Sequence, residues 1–446
     1  MSALAVLLLD RGHTISGSDS GESDQTKALE ALGIPVQIGH KNLPLTSECV
    51  VINGAIGQDN PELLQARAEN IPVIDRSELL ATVSKSYKNI IAVAGTSGKS
   101  TTTAMIGEIF REAGLKPTVH NGAVATKSAP SIKYNPYDDL GLEIGENEYF
   151  ITEACEFKRS FLTLSPSLAV ITNIRPDHMN CYRDFDDLQS TFAQFISQSK
   201  SSILGEHVQR NPKINLQIPG EHNLDNASLA LQTALHFGID EKIALDALAN
   251  FKGLKRRFEH LGTLKNTKNL CACCHFLRKN HGMTQRSRHI LSATSNICTS
   301  CCEPKASYTN WTHSNTQLFP STDIISDYAH HPDEIKTTIK TTKDLYRSPL
   351  FVFQPHTYTR TKTLFPEFIQ ALRGDQPTDV ILYKTYSARE NPIPGGKAED
   401  LADALNVPCF QNETHLINFI KKCAHRFDAI VFTGAGDIDT IARKVI

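Results

Sequence analysis

The chain has 446 residues, a formal net charge of −2 and 21% charged residues. That length leaves room for about three domains. The balanced charge excludes electrostatic capture by nucleic acid or by a membrane surface as the basis of function. In chain order, the first apolar run, Ala3–Leu9, is far shorter than the roughly 20 residues a membrane span needs. No basic segment precedes it. It reads as the buried face of a helix in a cytoplasmic protein. Asp24–Leu32 has amphipathic helical spacing, and Cys49–Ile52 reads as a buried strand. Further strands are predicted at Ile90–Ala94, Tyr149–Thr152, Leu168–Ile174, Leu350–Phe353, Val380–Tyr383 and Ala429–Thr433. Helical patterns at Thr101–Ala113 and Ala227–Phe237 lie between them. Strands alternating with helices predict an α/β fold with parallel sheets covered on both faces. The punctuation suggests three blocks: 1–88, 89–252 and 253–446.

The run IIAVAGTSGKSTTT, Ile90–Thr103, carries the most chemistry. A buried strand leads into Gly95, Thr96, Ser97 and Gly98, and Lys99 opens a helix. Such a loop turns backbone N–H groups toward phosphate oxygens at a helix N-terminus. Lys99 supplies a charge for the outer phosphates, and Ser100, followed by Thr101, offers a hydroxyl to Mg²⁺. Val93 stands where a full Walker A pattern has glycine. The combination still predicts binding of a nucleoside triphosphate. The strand at Tyr149–Thr152 ends in Glu153, and the next ends in RPDHMN, with Asp177 and His178. Carboxyl ends of strands line ligand sites in doubly wound sheets, so Glu153 and His178 are expected to face the loop and hold Mg²⁺. In PGEHNLDNASLAL, His222 and Asn226 lie one helical turn apart.

These motifs, with GLKRRFEHLG, DYAHHPDEI, FQPHTYTRT and FTGAGDI after them, resemble the Mur ligase family in order and spacing. The DYAHHP and QPHxYxRT boxes point to its alanine-adding branch. The resemblance implies a three-domain architecture: a Rossmann-like N-terminal domain, a central phosphate-loop ATPase domain and a C-terminal Rossmann-like domain. It implies an ATP- and Mg²⁺-dependent ligase that joins L-alanine to the lactyl carboxylate of UDP-N-acetylmuramate through an acyl phosphate. The partners are then small molecules, and the protein is a monomer or weak homodimer. A tripeptide-recycling ligase, or a degenerate ATP-binding member without ligase activity, is the alternative. By the same resemblance, Lys99, Glu153, His178, Arg257 and His330 are catalytic. Gly95–Thr101, His222, Asn226 and Asp327 hold nucleotide, and Ser100, Glu153 and His178 hold the metal. Tyr328, His330, His356 and Arg360 face the substrates, with Arg360 on the alanine carboxylate. Arg256 is expected to face solvent, and Gly434, Gly436 and Asp437 to form a turn. Closure of the third block over the second is expected.

Several positions depart from the family pattern. Relatives begin with a strand and Gly-rich loop that would precede Met1, so a truncated start, with an unpaired sheet edge, is expected. The segment 200–220 is short. Cys155 and Lys158 stand where acids are usual, Asn180 follows DHM, and Thr357 replaces an arginine. Residues 266–320 are interposed and carry Cys271, Cys273, Cys274, His275, Cys298, Cys301 and Cys302, six of the eleven cysteines. Cys298–Cys301 with two ligands from the first group would suit a structural Zn²⁺. A disordered insertion, or an error in the gene model, is the other reading.

Overall fold

The chain forms two compact units, Met1–Leu254 and Lys255–Ile446. The computed structural model describes residues 1–40, 44, 46–54, 56–124, 126, 137–176, 181–266, 318–374, 378–388 and 390–446. The predicted Zn²⁺ ligands, and Asp177, His178 and Asn180, lie outside the described residues. Among those described, no helix is long and apolar enough to cross a membrane.

The first unit opens with the helix Ser2–Asp10, which buries Ala3, Leu4, Val6 and Leu7 as its apolar run predicts. Two parallel pairs follow, β1 (Gly17–Asp19) with β2 (Val36–Ile38) and β3 (Val50–Ile52) with β4 (Val73–Asp75). Among the described residues each pair is a sheet of its own. The helices Asp24–Ala31, Pro61–Ala68 and Arg76–Ser84 are capped by side-chain oxygens of Ser23, Asn60 and Asp75. These caps satisfy donors that a first helical turn leaves open.

The main sheet of this unit comprises β5 (Asn89–Ala94), β6 (Thr118–His120), β7 (Leu142–Glu143), β8 (Tyr149–Glu153), β9 (Leu168–Ile171) and β10 (Ser201–Leu204). Their order is β10-β9-β5-β8-β6-β7, parallel except for β7. Residues 90–94 of β5 are all buried because both faces are covered. Alternation along the strand sends Ile91 and Val93 to one core, with Met105, Ile109 and Leu231. Ile90, Ala92 and Ala94 go to the other, with Phe150, Phe161 and Phe192. The strand predicted over Leu168–Ile174 stops at Ile171, because Thr172 and Asn173 turn to hydrogen-bond the phosphate loop.

The second unit is built on β11 (Glu259–Lys265), β12 (Ser321–Asp327), β13 (Pro349–Phe353), β14 (Asp379–Tyr383), β15 (Cys409–Phe410) and β16 (Ala429–Thr433). The order is β11-β12-β16-β13-β14-β15, with β11 antiparallel and the rest parallel. Helices Pro332–Leu345 and Phe365–Arg373 cover one face through Ile335, Ile339 and Phe368. Helices Glu413–Cys423 and Ile438–Val445 cover the other through Leu416, Ile420 and Ile441. The chain returns to place β16 between β12 and β13, so the carboxyl ends of these three strands lie side by side.

Candidate functional sites

In the first unit the loop Gly95–Gly98 leaves β5 and enters the helix Lys99–Glu112. Gly95 has φ +135° and Gly98 φ +85°. The loop is fastened from the end of β9. The Thr96 and Ser97 N–H groups donate to the Asn173 carbonyl and side-chain oxygen at 2.9 and 3.2 Å. The Thr172 hydroxyl and the Asn173 amide donate to the Ser97 carbonyl at 2.6 and 2.9 Å. Gly98 lies against Asn226, which is buried in the helix Glu221–His236. His222, one turn earlier on the same helix, is exposed. The first-turn N–H groups of Lys99–Thr101 precede the helix's regular hydrogen bonds and can receive an anion.

Lys99 is placed differently from expectation. Its ammonium donates to the carbonyls of Gly95 and Thr96 and meets Glu156 at 3.0 Å. Burial opposes the charge, but Glu156, Cys155 and Glu153 outweigh it, and the ammonium is held above its ordinary range. Sequence reading missed Glu156, which lies three residues after Glu153 in the run EACEFKRSF, 153–161. Cys155, beside it, has its thiol pushed up by burial. Lys158 is exposed, with its ammonium 3.3 Å from the Gly54 carbonyl. Glu153 accepts the Gly122 N–H, while the Asn121 amide donates to the Ser100 carbonyl at 3.0 Å. The consecutive pair Asn121–Gly122 therefore brings Ser100 and Glu153 to one place. Their oxygens are the hard donors Mg²⁺ takes alongside phosphates and water, so these residues fit that ion. Among the described residues no group of three His, Cys, Asp or Glu side chains is assembled.

In the second unit the predicted residues gather at the carboxyl ends of β12, β13 and β16. Asp327 is buried, and its two oxygens accept the Phe258 and Ala329 N–H groups at 2.9 and 2.7 Å. Burial pushes its carboxyl up. Tyr328 lies under two guanidinium groups, Arg256 at 4.7 Å and Arg257 at 4.9 Å from the ring centre. The expectation that Arg256 faces solvent is wrong. Its guanidinium donates to the carbonyls of Gly434 and Gly436, both at 3.0 Å, and a left-handed backbone (φ +60°) turns it inward. The TGAGDI turn is thus where Arg256 docks. Gln354, at the end of β13, locks the same turn by donating to Asp437 and accepting the Ile438 N–H.

His330 places Nδ1 3.1 Å from the Tyr328 carbonyl and 3.3 Å from Glu334. Both partners accept, so Nδ1 carries the proton and Nε2 keeps its lone pair while the ring is neutral. Burial pushes the ring's pKa down. Burial would raise Glu334, but His330, Arg257 and the His330 and His331 N–H groups hold it at about 2. His356 stands edge-on to His330 at 5.7 Å and stacks on Tyr386 at 5.5 Å. Its Nδ1 and one guanidinium nitrogen of Arg360 are buried without a hydrogen-bond partner. Thr357 begins the short helix carrying Arg360, and its hydroxyl caps the Arg360 N–H.

His356 gives a pH prediction. Burial, with His330, Arg360 and Arg256 nearby, pushes its pKa from 6.5 down to about 4. The unfolded chain binds the extra proton first, so stability falls as pH drops through that window. Thermal melts of His356→Asn are expected to lose part of the acid-side slope, and an identical slope would contradict the assignment.

Three family descriptions match the chain: the Mur ligase family catalytic domain over residues 1–88, the Mur ligase middle domain over 93–205, and the Mur ligase glutamate ligase domain over 316–436. A UDP-N-acetylmuramate–L-alanine ligase of Clostridium beijerinckii is 31% identical, with 100% of this chain and 95% of the relative covered. One from Buchnera aphidicola is also 31% identical, over 100% of this chain and 92% of its own. Among solved structures, a UDP-N-acetylmuramate-alanine ligase from Thermotoga maritima has a TM-score of 0.71 at 23% identity, over 100% of this chain and 95% of that one. A murein peptide ligase from Psychrobacter arcticus has a TM-score of 0.63 at 18% identity, over 100% and 95%. A phosphate loop in one α/β unit, a cationic and imidazole cluster in the other, and likeness across the whole length together establish that the chain belongs to the Mur ligase family.

Proposed function

We propose that the protein is an ATP-dependent ligase joining L-alanine to the lactyl carboxylate of UDP-N-acetylmuramate, acting in the cytoplasm on small-molecule substrates. The observation that carries this reading is the full-length likeness to relatives named for that reaction, together with an intact phosphate loop. The organisation that goes with it is a nucleotide-sugar block at 1–88, an ATP block at 89–252 and an amino-acid block at 253–446.

A carboxylate resists attack because its leaving group would be oxide, and phosphorylation by ATP supplies a better one. Transfer between two anions depends on positioning and charge neutralisation. The Gly95–Gly98 loop and the first-turn N–H groups would cradle the triphosphate, and Lys99 would neutralise its outer oxygens. Ser100 and Glu153 would hold Mg²⁺, with His178 as a further ligand; the ion supplies Lewis-acid polarisation of the transferred phosphoryl group. Arg257 suits an oxyanion through its planar fork. Arg360 would bind the alanine carboxylate. His330, neutral and oriented by Glu334, would take a proton at Nε2 from the alanine ammonium and so free its lone pair.

Phosphate release with ATP, Mg²⁺ and UDP-N-acetylmuramate tests the reading. Release is expected to depend on L-alanine, with glycine, L-serine and the tripeptide as poorer acceptors. Release driven only by the tripeptide, or independent of any acceptor, would overturn it. Arg360→Ala is expected to raise KM for alanine by about 10–100-fold, the worth of a charge-assisted pair, with KM for ATP nearly unchanged.

A further inference from the structure

Glu156 has no part in the proposed reaction, yet it is one of the most deeply buried carboxylates in the first unit, at 1% exposure. Its oxygens lie 3.0 and 3.2 Å from the Lys99 ammonium. With the Gly95 and Thr96 carbonyls, they draw the lysine back onto its own loop.

The position of Glu156 is fixed from several sides. Its carbonyl accepts the Tyr182 hydroxyl and the Arg159 N–H. The next turn holds two consecutive non-glycine residues, Lys158 and Arg159, at φ +52° and +58°. Left-handed non-glycine backbone persists only where surroundings over-determine it. The Arg159 guanidinium is committed elsewhere, to Asp187 at 2.7 Å and Thr191 at 2.6 Å. Lys99 is a counter-charge of Glu156. Burial makes a stranded partner costly. A lysine that moved wholly onto phosphate would give up this buried ion pair.

We infer that Glu156 is a positioning residue for Lys99: it anchors the ammonium at the loop and competes with the triphosphate for it. The inference rests on the ATP-binding reading. Glu156 holds affinity for the nucleotide down and keeps the lysine aligned for transfer.

The test measures binding of a non-hydrolysable ATP analogue with Mg²⁺, alongside kcat and KM for ATP. Glu156→Gln keeps the shape and an acceptor but removes the charge. It is expected to bind the analogue about tenfold more tightly and to lower kcat by about the same factor. Glu156→Asp is expected to return affinity toward that of the unaltered protein. A merely structural glutamate cannot improve binding when replaced, so unchanged or weaker binding by Glu156→Gln overturns the inference. A second comparison holds if that variant folds poorly. Lys99→Met removes this counter-charge from a buried carboxylate and is expected to melt below Lys99→Met/Glu156→Gln, and the reverse order overturns the pairing. Failure of the unaltered protein to bind the analogue would sink the ATP-binding reading itself.

Discussion

Lys99→Met is expected to lower alanine-dependent phosphate release by roughly 10²–10³-fold, the usual cost of removing one preorganised charge from a transferring group. The loss should fall on kcat and on affinity for ATP, because the ammonium faces phosphate charge already present in the bound nucleotide and the further charge that develops during transfer. Methionine keeps the aliphatic stem while deleting three donors. Single-turnover quench would separate chemistry from release of product. Activity within a few-fold of the unaltered protein would remove Lys99 from the reaction and with it the mechanism proposed for the first unit.

Gly95→Ala is expected to be nearly as damaging, for a steric reason. At φ +135° the residue occupies backbone space that side chains rarely enter. An added Cβ would stand 2.0 Å from the Thr172 hydroxyl and 2.9 Å from the Asn173 carbonyl. The Asn173 atom is backbone, so a change of rotamer cannot relieve the clash. The loop must leave the end of β9, breaking the bonds that Thr172 and Asn173 make to Ser97. Nucleotide binding should be lost, with a destabilisation of about 2–4 kcal/mol. Thr172→Ala in the same chain should recover only part, since the clash with Asn173 remains. Full recovery would show that the hydroxyl alone sets the requirement.

Local features of this architecture were legible in the sequence. The strand–loop–helix at 90–112 is encoded by neighbours: an apolar run, two glycines where the backbone turns positive, and a helix-forming stretch. Glu153 was placed because the carboxyl end of a buried strand can be read from its ending. Tyr328, His330, His356 and Arg360 were placed only by the resemblance of the DYAHHP and QPHxYxRT boxes to the family. What was not legible depended on geometry built by distant residues. Arg256 and Arg257 are adjacent and alike, and only a left-handed backbone at Arg256 directs it to Gly434 and Gly436, far along the chain. Glu156 meets Lys99 across 57 residues of sequence, beside a turn whose left-handed backbone at Lys158 and Arg159 has no local sequence signal. Short strands such as β1 and β15 were missed because two or three half-exposed residues carry no apolar period. The Gln354–Asp437 lock, between residues 83 apart in sequence, has no local signal at all.

The antiparallel pair β11–β12 has a consequence for what this fold can carry. Lys265 pairs with Ser321, and beyond that rung the Asn266 N–H donates to the Pro320 carbonyl while its amide reaches Phe319 and Thr322. Phe319 is itself tied to His425. The hairpin is therefore sealed at its stem, and whatever sequence joins 266 to 318 attaches to a closed ring of hydrogen bonds. Chain closure costs only about 0.6 kcal/mol for each doubling of such a connection. The stem works as a socket: lengthening, exchanging or cutting out the connection is expected to leave the pairing of β11 with β12 in register.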